Sequence, residues 1–237
     1  MRFQRLIRER LKFIARSAFG LPKLRPIDGF MRLIPGLIHI GANSGQERHL
    51  YYKLGLNVLW IEADPEVFQR LRENIANLPR QRAINALVSD VSGAEIDFHI
   101  SNNDGLSSSM FEFSGHVRAW PHVKHVGQRR MVARSLDELL EEENVDMANY
   151  RALVLDVQGA ELLVLAGATA TLSAISWIRL PAPDFDAYRG APEDIRQIRA
   201  FLDRKGFTQV ACLETAVFPD VGTTSEFLFR SPYKNRT

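Results

Sequence analysis

The sequence predicts a doubly wound α/β domain with a mostly parallel sheet of about seven strands, preceded by a basic amphipathic helix. Three observations carry this. From Leu37 onward, short apolar runs alternate with segments of helical period, the mark of βαβ units around a parallel sheet. One apolar run leads into the glycine-bounded turn GANSG, 41–45, and from there straight into a helical pattern. A second run, 151–157, is apolar from Ala152 to Leu155 and ends around Asp156, as expected of a strand buried on both faces.

Taken in order, residues 1–30 form an expected unit of helix and linker, and 31–237 the domain proper. Phe3, Leu6, Ile7, Leu11, Ile14 and Ala18 share one face of a helical wheel, with Arg5, Arg8, Lys12 and Arg16 on the other. Such a helix lays its apolar face on the domain, or else rests on an anionic lipid surface. Gly20, Pro22, Pro26 and Gly29 punctuate the linker. Residues 37–40 read as the first strand, 46–54 as a helix and 57–62 as the second strand. Pro65 suits a first helical turn, and Val67, Phe68, Leu71 and Ile75 give that helix its buried stripe. Strands follow at 83–88 and 95–100. The Ser, Asn and Gly of 101–109 predict a mobile loop outside the core. Ser135 with Glu138 forms an expected capping box for a helix to Glu143. Further strands are expected at 174–180, 209–213 and 225–229, with a helix over 193–205.

Composition sets bounds. The chain of 237 residues is 46% hydrophobic, enough for one sizeable core and too short for two full domains. Net charge is +2, too mild to argue for nucleic acid. Cys212 is the single cysteine, which excludes an internal disulfide and a cysteine-based metal cluster, and it is expected in the core. No apolar run reaches the roughly 18 residues of a membrane span, and no secretory leader is recognisable. The expected location is cytoplasmic, with residues 1–19 as a weak peripheral contact to the inner membrane surface.

The chemistry centres on the first turn. Gly41 and Gly45 permit close backbone approach of a ligand to a strand end and to helix N–H groups. Glu62 ends the second strand 21 residues after Gly41, where a carboxylate can accept two hydrogen bonds from a ribose diol. These features point to a nucleoside cofactor. Asn43 occupies the second glycine position of a dinucleotide-binding GxGxxG, which argues against nicotinamide. S-adenosylmethionine has no phosphate, so a shorter turn suffices for it.

At this point the residues resemble a known family, the FkbM-type methyltransferases, within the Rossmann-like S-adenosylmethionine enzymes of class I. HIGANSGQE at 39–47, WIEADPEVFQRLRENI at 60–75, NALVSDVSGAEIDFHIS at 85–101 and LDVQGAELLVLAGA at 155–168 carry the resemblance, with GLSSSM at 105–110 and RSLDELL at 134–140. It implies that Gly41, Ala42, Asn43 and Gly45 face the methionine part of the cofactor. It implies also that Glu62, supported by Asp64, holds the ribose, and that Ser89 and Asp90 meet adenine. Asp156, Gln158, Gly159 and Glu161 match a DVEGAE-like stretch beside the transferring methyl group. His39 stands where many relatives carry an acidic residue, Gln158 where glutamate is common, and LPAPDF, 180–185, replaces a stretch that is often acidic.

The expected activity is therefore S-adenosylmethionine-dependent methylation of a hydroxyl on a sugar, glycan or polyketide-type acceptor. Transfer from a sulfonium is an in-line displacement, and an alcohol acceptor must lose its proton. Asp156 is the first candidate base by location and His39 the second, with His116, His122 and His125 behind them. A bland role for Asp156, capping the helix that begins near Ala160, stands beside the catalytic one. Ser108 and Glu161 are expected on the acceptor side, Ser108 in a loop that closes over the acceptor. The three histidines lack the spacing and carboxylates of a metal site, so no metal is expected. A non-catalytic binding module that keeps the fold while the LPAPDF change disables the acceptor site is the alternative.

Overall fold

The computed structural model describes residues 22–192 and 194–231, so the expected helix at 1–19 lies outside the described residues. Ten strands are present among them: β1 Gly36–Ile40, β2 Asn57–Glu62, β3 Gln81–Asn85, β4 Leu87–Ser89, β5 Glu95–Ser101, β6 His125–Ser135, β7 Ala152–Leu155, β8 Trp177–Pro183, β9 Thr208–Phe218 and β10 Gly222–Arg230. Seven build the main sheet in the order β3-β2-β1-β7-β8-β10-β9, and β4-β6-β5 form a separate small sheet. β10 runs antiparallel to both neighbours, and the other pairings of the main sheet are parallel. The strand order reverses between β1 and β7. In open α/β sheets that reversal leaves a crevice at the carboxyl ends of the strands, where ligands bind.

The doubly wound character follows from side-chain alternation across β1, β2 and β7, whose residues are buried almost throughout. Ile38, Ile40, Leu59, Ile61, Leu153 and Leu155 enter one core, which includes Leu136, Leu139, Val164, Leu165 and Ile198 from helices. Leu37, Val58, Trp60, Ala152 and Val154 enter the other, with Tyr51, Leu71 and Ile75. Helix Pro65–Ile75 is local chemistry made visible. Pro65 opens it, Asp64 caps it by accepting from the Glu66 N–H (2.9 Å), and Val67, Leu71 and Ile75 are its buried stripe.

Several expectations are corrected. The strand expected at 83–88 is two. Asn85 is the last partner of β2, opposite Glu62, whereas Leu87 pairs with Ala133 of β6 in the small sheet. A continuous apolar run does not encode a change of sheet. The strand β6 itself had no clear sequence signal, because its residues alternate only weakly in burial. The 174–180 strand starts at Trp177, since Thr169–Ala174 is a short helix. Ser135 caps helix Leu136–Glu142 through the Glu138 N–H (3.3 Å), but its own N–H donates to Ser92 Oγ (2.9 Å), so the reciprocal half of a capping box is replaced. Cys212 is exposed, because it lies on the edge strand β9.

The segment 101–109 is packed rather than loose. Ser101, Ser107, Ser108 and Ser109 are all buried. Ser108 Oγ accepts from the Ser101 N–H (3.0 Å), and Ser109 exchanges both backbone hydrogen bonds with His99. Short hydroxyl side chains satisfy their own backbone here, and this is what permits a polar segment to be buried.

The expected linker also enters the domain. Pro26–Leu33 forms a 3-10 helix whose Ile27, Phe30 and Met31 sit in the second core, Phe30 stacking on Trp177 at 5.5 Å. Asp28 of this segment is ion-paired with buried Arg179 of β8, and Arg25 bonds to the same carboxylate (2.7 Å). Removing one member of a buried pair strands the other, so Asp28→Ala is expected to lower unfolding stability by about 3–5 kcal/mol. The double variant Asp28→Ala with Arg179→Met should regain most of it. Equilibrium urea unfolding measures both; a single-variant loss below about 1 kcal/mol, the range of exposed pairs, would show that Arg179 does not depend on Asp28.

Candidate functional site

The crevice at the strand reversal is built from the carboxyl ends of β1, β2 and β7 together with the segments 86–88 and 105–110. It contains a cavity of ≈ 260 Å³ lined by His39, Gly41, Ala42, Asn43, Glu62, Leu87, Ser108, Asp156 and Gln158, among others. Gly41 has φ +77°, and a Cβ there would fall 1.9 Å from the Asp156 carbonyl oxygen. No side chain fits between the two strand ends. Asn43 is also left-handed (φ +44°), a conformation asparagine tolerates. Its side chain ties the turn together, accepting from the Ser44 N–H (2.6 Å) and Gln46 Nε2 (3.0 Å) and donating to the Asp104 carbonyl (3.0 Å). That last bond anchors the serine-rich segment to the first turn.

Glu62 is held by its surroundings before any ligand arrives. Oε2 accepts from the Asn43 N–H (2.7 Å) and Oε1 from the Asp64 N–H (2.9 Å). A carboxylate has about four acceptor positions, so two remain for a diol. Burial pushes its pKa up to about 7, against the pull of the backbone N–H groups of Asp64 and Asn43. The fixed carboxylate and the cradle that a Cβ at Gly41 would fill both fit a nucleoside cofactor such as S-adenosylmethionine.

Asp156 occupies the junction of three cavities. Besides the first, it lines one of ≈ 430 Å³ with Ser107, His116, Trp120, Gly159, Glu161, Pro181, Tyr188 and Glu226. It also lines one of ≈ 260 Å³ with Arg25, Asp28, His39, Glu47 and Arg179. Its side chain is open to the lumen and enclosed by protein on its other sides. That enclosure, then the charges of Glu161 and Glu47, push its pKa up to about 7, with Arg179 and the hydrogen bond from Gln158 pulling the other way. The capping role does not hold, because the N-cap of helix Glu161–Ala166 is Ala160 with no side-chain bond, and Asp156 bonds to none of its N–H groups.

The other sequence candidates divide. Ala42, Asn43 and Ser108 line the first cavity, and Gln158 lines the first and second. Gly45 does not reach it; with φ +73° it packs on Leu71 instead, a Cβ there meeting Leu71 Cδ1 at 2.8 Å. Asp64 acts as helix cap and lies outside the lining. Ser89 and Asp90 are also placed outside it. Ser89 is buried with its carbonyl against Gly167, and its Oγ donates to Asp90 (3.0 Å). Ala86, Leu87 and Val88, the residues immediately before them where the chain passes from β3 into β4, are what line the cavity. Glu161 is buried and accepts from the N–H groups of Val157 (3.0 Å) and Gly159 (3.1 Å), which fixes the turn after β7.

His39 is placed for packing rather than for proton transfer. It stacks on Trp60 (5.1 Å), meets Tyr51 Oη through Nδ1 (3.4 Å), and burial lowers its pKa to about 4. His116 is buried with Nε2 against Ser107 Oγ (3.2 Å), its ring stacked on Phe113 at 4.1 Å. His125 stacks on the other ring contacts of Phe113 (3.7 Å). Among the described residues no His, Cys, Asp and Glu side chains are grouped as a metal set, and no helix is long and apolar enough to cross a membrane. Sequence reasoning did not single out Tyr188, Trp120 and Arg179, since none of them lies within a motif that carries the resemblance. LPAPDF supplies a wall of the larger cavity through Pro181, Ala182 and Pro183.

A carboxyl whose pKa is raised by folding favours the fold when protonated. That contribution is full below about pH 4 and is lost as pH rises through about 7. Asp156→Asn is therefore expected to raise the melting temperature by a few degrees at pH 8 and to leave it near the wild-type value at pH 5. Scanning calorimetry at the two pH values tests this, and equal shifts at both would contradict the assigned ionisation.

The family model described as Methyltransferase FkbM domain matches residues 39–208. A curated relative, the 2-O-methyltransferase NoeI of Sinorhizobium fredii (strain NBRC 101917 / NGR234), is 32% identical over 177 residues, covering 71% of this chain and 70% of that protein. Alignable solved structures include a magnesium protoporphyrin IX methyltransferase from Synechocystis PCC 6803, 12% identical, covering 97% of this chain and 79% of that one, with a TM-score of 0.43. Another is a TehB-like methyltransferase from Corynebacterium glutamicum ATCC 13032, 12% identical, covering 94% and 95%, with a TM-score of 0.44.

Proposed function

The chain belongs to the FkbM methyltransferase domain family and uses S-adenosylmethionine, and from that premise we propose that it methylates a hydroxyl oxygen of a sugar or glycan. The observation that carries this is Asp156, a carboxyl with pKa about 7 at the meeting point of the cofactor-side and acceptor-side cavities. When bound, S-adenosylmethionine supplies an electrophilic methyl group on a sulfonium. Gly41, Ala42 and Asn43 would receive its amino-acid end, Glu62 its ribose, and the apolar strip Ala86, Leu87 and Val88 its adenine.

The acceptor side suits a carbohydrate. Trp120 offers a half-buried ring for the apolar face of a sugar, and Ser107, Glu226 and Thr215 offer hydrogen-bonding groups in the same cavity. Removing a proton from an alcohol as the new bond forms favours a base with a pKa near the working pH. Asp156 meets that condition, whereas His39, which also lines the first cavity but is held neutral with a pKa of about 4, does not. The relative named as a 2-O-methyltransferase supports oxygen as the atom methylated.

Titration calorimetry with S-adenosylmethionine, followed by mass spectrometry of an oligosaccharide panel, tests the reading. Glu62→Ala is expected to weaken cofactor binding at least about 100-fold, the loss of two charged hydrogen bonds. Asp156→Asn should keep cofactor affinity within a few-fold while lowering kcat by about 100- to 10,000-fold, the usual range for a removed base. Methyl transfer to an amine or carboxylate in preference to a hydroxyl would overturn the acceptor assignment.

A further inference from the structure

We propose that Gln158 and Tyr188 form a positioning relay that sets the direction and the proton affinity of Asp156. This deepens the reading of Asp156 as the base and depends on it. Gln158 Nε2 donates to Asp156 Oδ1 (2.5 Å), and Gln158 Oε1 accepts from Tyr188 Oη (2.6 Å). The polarity of the relay is fixed by charge. An ionised carboxylate only accepts, so the amide nitrogen must face Asp156, its oxygen must face Tyr188, and the phenol must donate.

The rest of the structure holds the relay in place. Gln158 is left-handed (φ +54°), and its carbonyl accepts from Ser109 Oγ (2.7 Å), which fixes the backbone from the opposite wall. Gly159 follows at φ +97°. A Cβ there would lie 3.2 Å from Tyr188 Cδ2 and 3.1 Å from Ala191 Cβ, so the glycine is what lets the tyrosine approach. Among the described residues, the Gln158 amide makes the one hydrogen bond to the Asp156 carboxylate. The charged groups around it act through space only: Glu47 after the first turn, Glu161 behind the turn, Arg179 of β8, and along the shared cavity walls Glu226 and the Arg25–Asp28 pair, with the titratable but neutral His39 beside them.

The amide at position 158 matters because of what a carboxylate there would do. A glutamate at 158 would set two carboxylates at hydrogen-bond distance, and they would have to share a proton. Glutamine gives the same reach with a donor in place of a charge. The relay thus leaves Asp156 ionisable near neutral pH despite its enclosure and the adjacent acids.

The test titrates Asp156 itself, so that it succeeds or fails whatever the acceptor proves to be. The full chain is labelled with carbon-13 at the aspartate side-chain carboxyl, the Asp156 resonance is identified by its loss in Asp156→Asn, and its pKa is followed by NMR without cofactor. Gln158→Met should raise that pKa by about half a pH unit or more, the effect of losing one hydrogen bond to the charged form. Gln158→Glu should raise it further, and Tyr188→Phe should move it in the same direction by less. Circular dichroism melts confirm that each variant is folded, and Tyr188→Phe, which removes a single oxygen, keeps the test open should substitutions at 158 unfold the turn. An Asp156 pKa unchanged in Gln158→Met and Tyr188→Phe would overturn the relay. Failure of the wild-type protein to methylate any hydroxyl, with these shifts present, would instead overturn the acceptor assignment alone.

Discussion

The closest constraint in the structure is the approach of two strand ends, where the Asp156 carbonyl fills the space that any side chain at Gly41 would need. Because β1 and β7 are adjacent parallel strands at the sheet's reversal, their exits diverge above and leave a crevice, while their last residues are locked together. The Asp156 N–H completes the lock by donating to the Ile40 carbonyl (2.9 Å). The first turn, which fits the cofactor, and the turn after β7, which carries the carboxylate, are therefore one rigid object. A methyl donor and an acceptor must be aligned to within fractions of an ångström for in-line transfer, and a shared backbone contact sets that alignment better than two independent loops would.

The same geometry explains why both acidic groups of the site have pKa values near 7. Glu62 is enclosed by the turn that it organises, and Asp156 by the meeting of three cavity walls. Neither would be retained for stability, since a carboxylate whose pKa folding raises opposes folding when ionised. The two differ in what compensates them. Glu62 accepts two backbone N–H groups, which fix a receptor for hydroxyls, while Asp156 accepts a single amide and faces open space, which suits a group that must gain and lose a proton. Environment alone separates the two roles.

How much of this was legible in the sequence depends on the range of the interaction. β1, β2 and the helix Pro65–Ile75 could be read almost residue by residue, because apolar period, proline and the Asp64 cap are local signals. That Gly41, Asn43 and Glu62 line one cavity was legible for the same reason, as they lie on consecutive elements. The placement of Ser89 and Asp90 was not, because it turns on a change of sheet after Asn85 that side-chain period does not record. The acceptor side was least legible. Trp120, Tyr188 and Glu226 come from three separate segments, and only folding brings them opposite Asp156. The serines of 101–109 looked like a loop from composition, yet they are buried because the hydroxyls of Ser101, Ser108 and Ser109 bond to backbone groups and that of Ser107 to Asn103 and His116, which composition does not reveal.

The charge balance beneath the site connects the start of the domain to its chemistry. His39, on the central strand β1, is neutral at physiological pH and stacked against Trp60, so it offers nothing to balance the buried guanidinium of Arg179. Asp28 supplies that balance from the 3-10 helix Pro26–Leu33, and Arg25 and Glu226 extend the network across the third cavity. An acid at position 39 would have placed a further negative charge beside Asp156, raising its proton affinity by like-charge repulsion. Histidine at 39 and an acid at 28 keep Arg179 paired while leaving its attraction to Asp156 in force. The segment that sequence composition reads as a linker is in this way part of the electrostatic surroundings of Asp156.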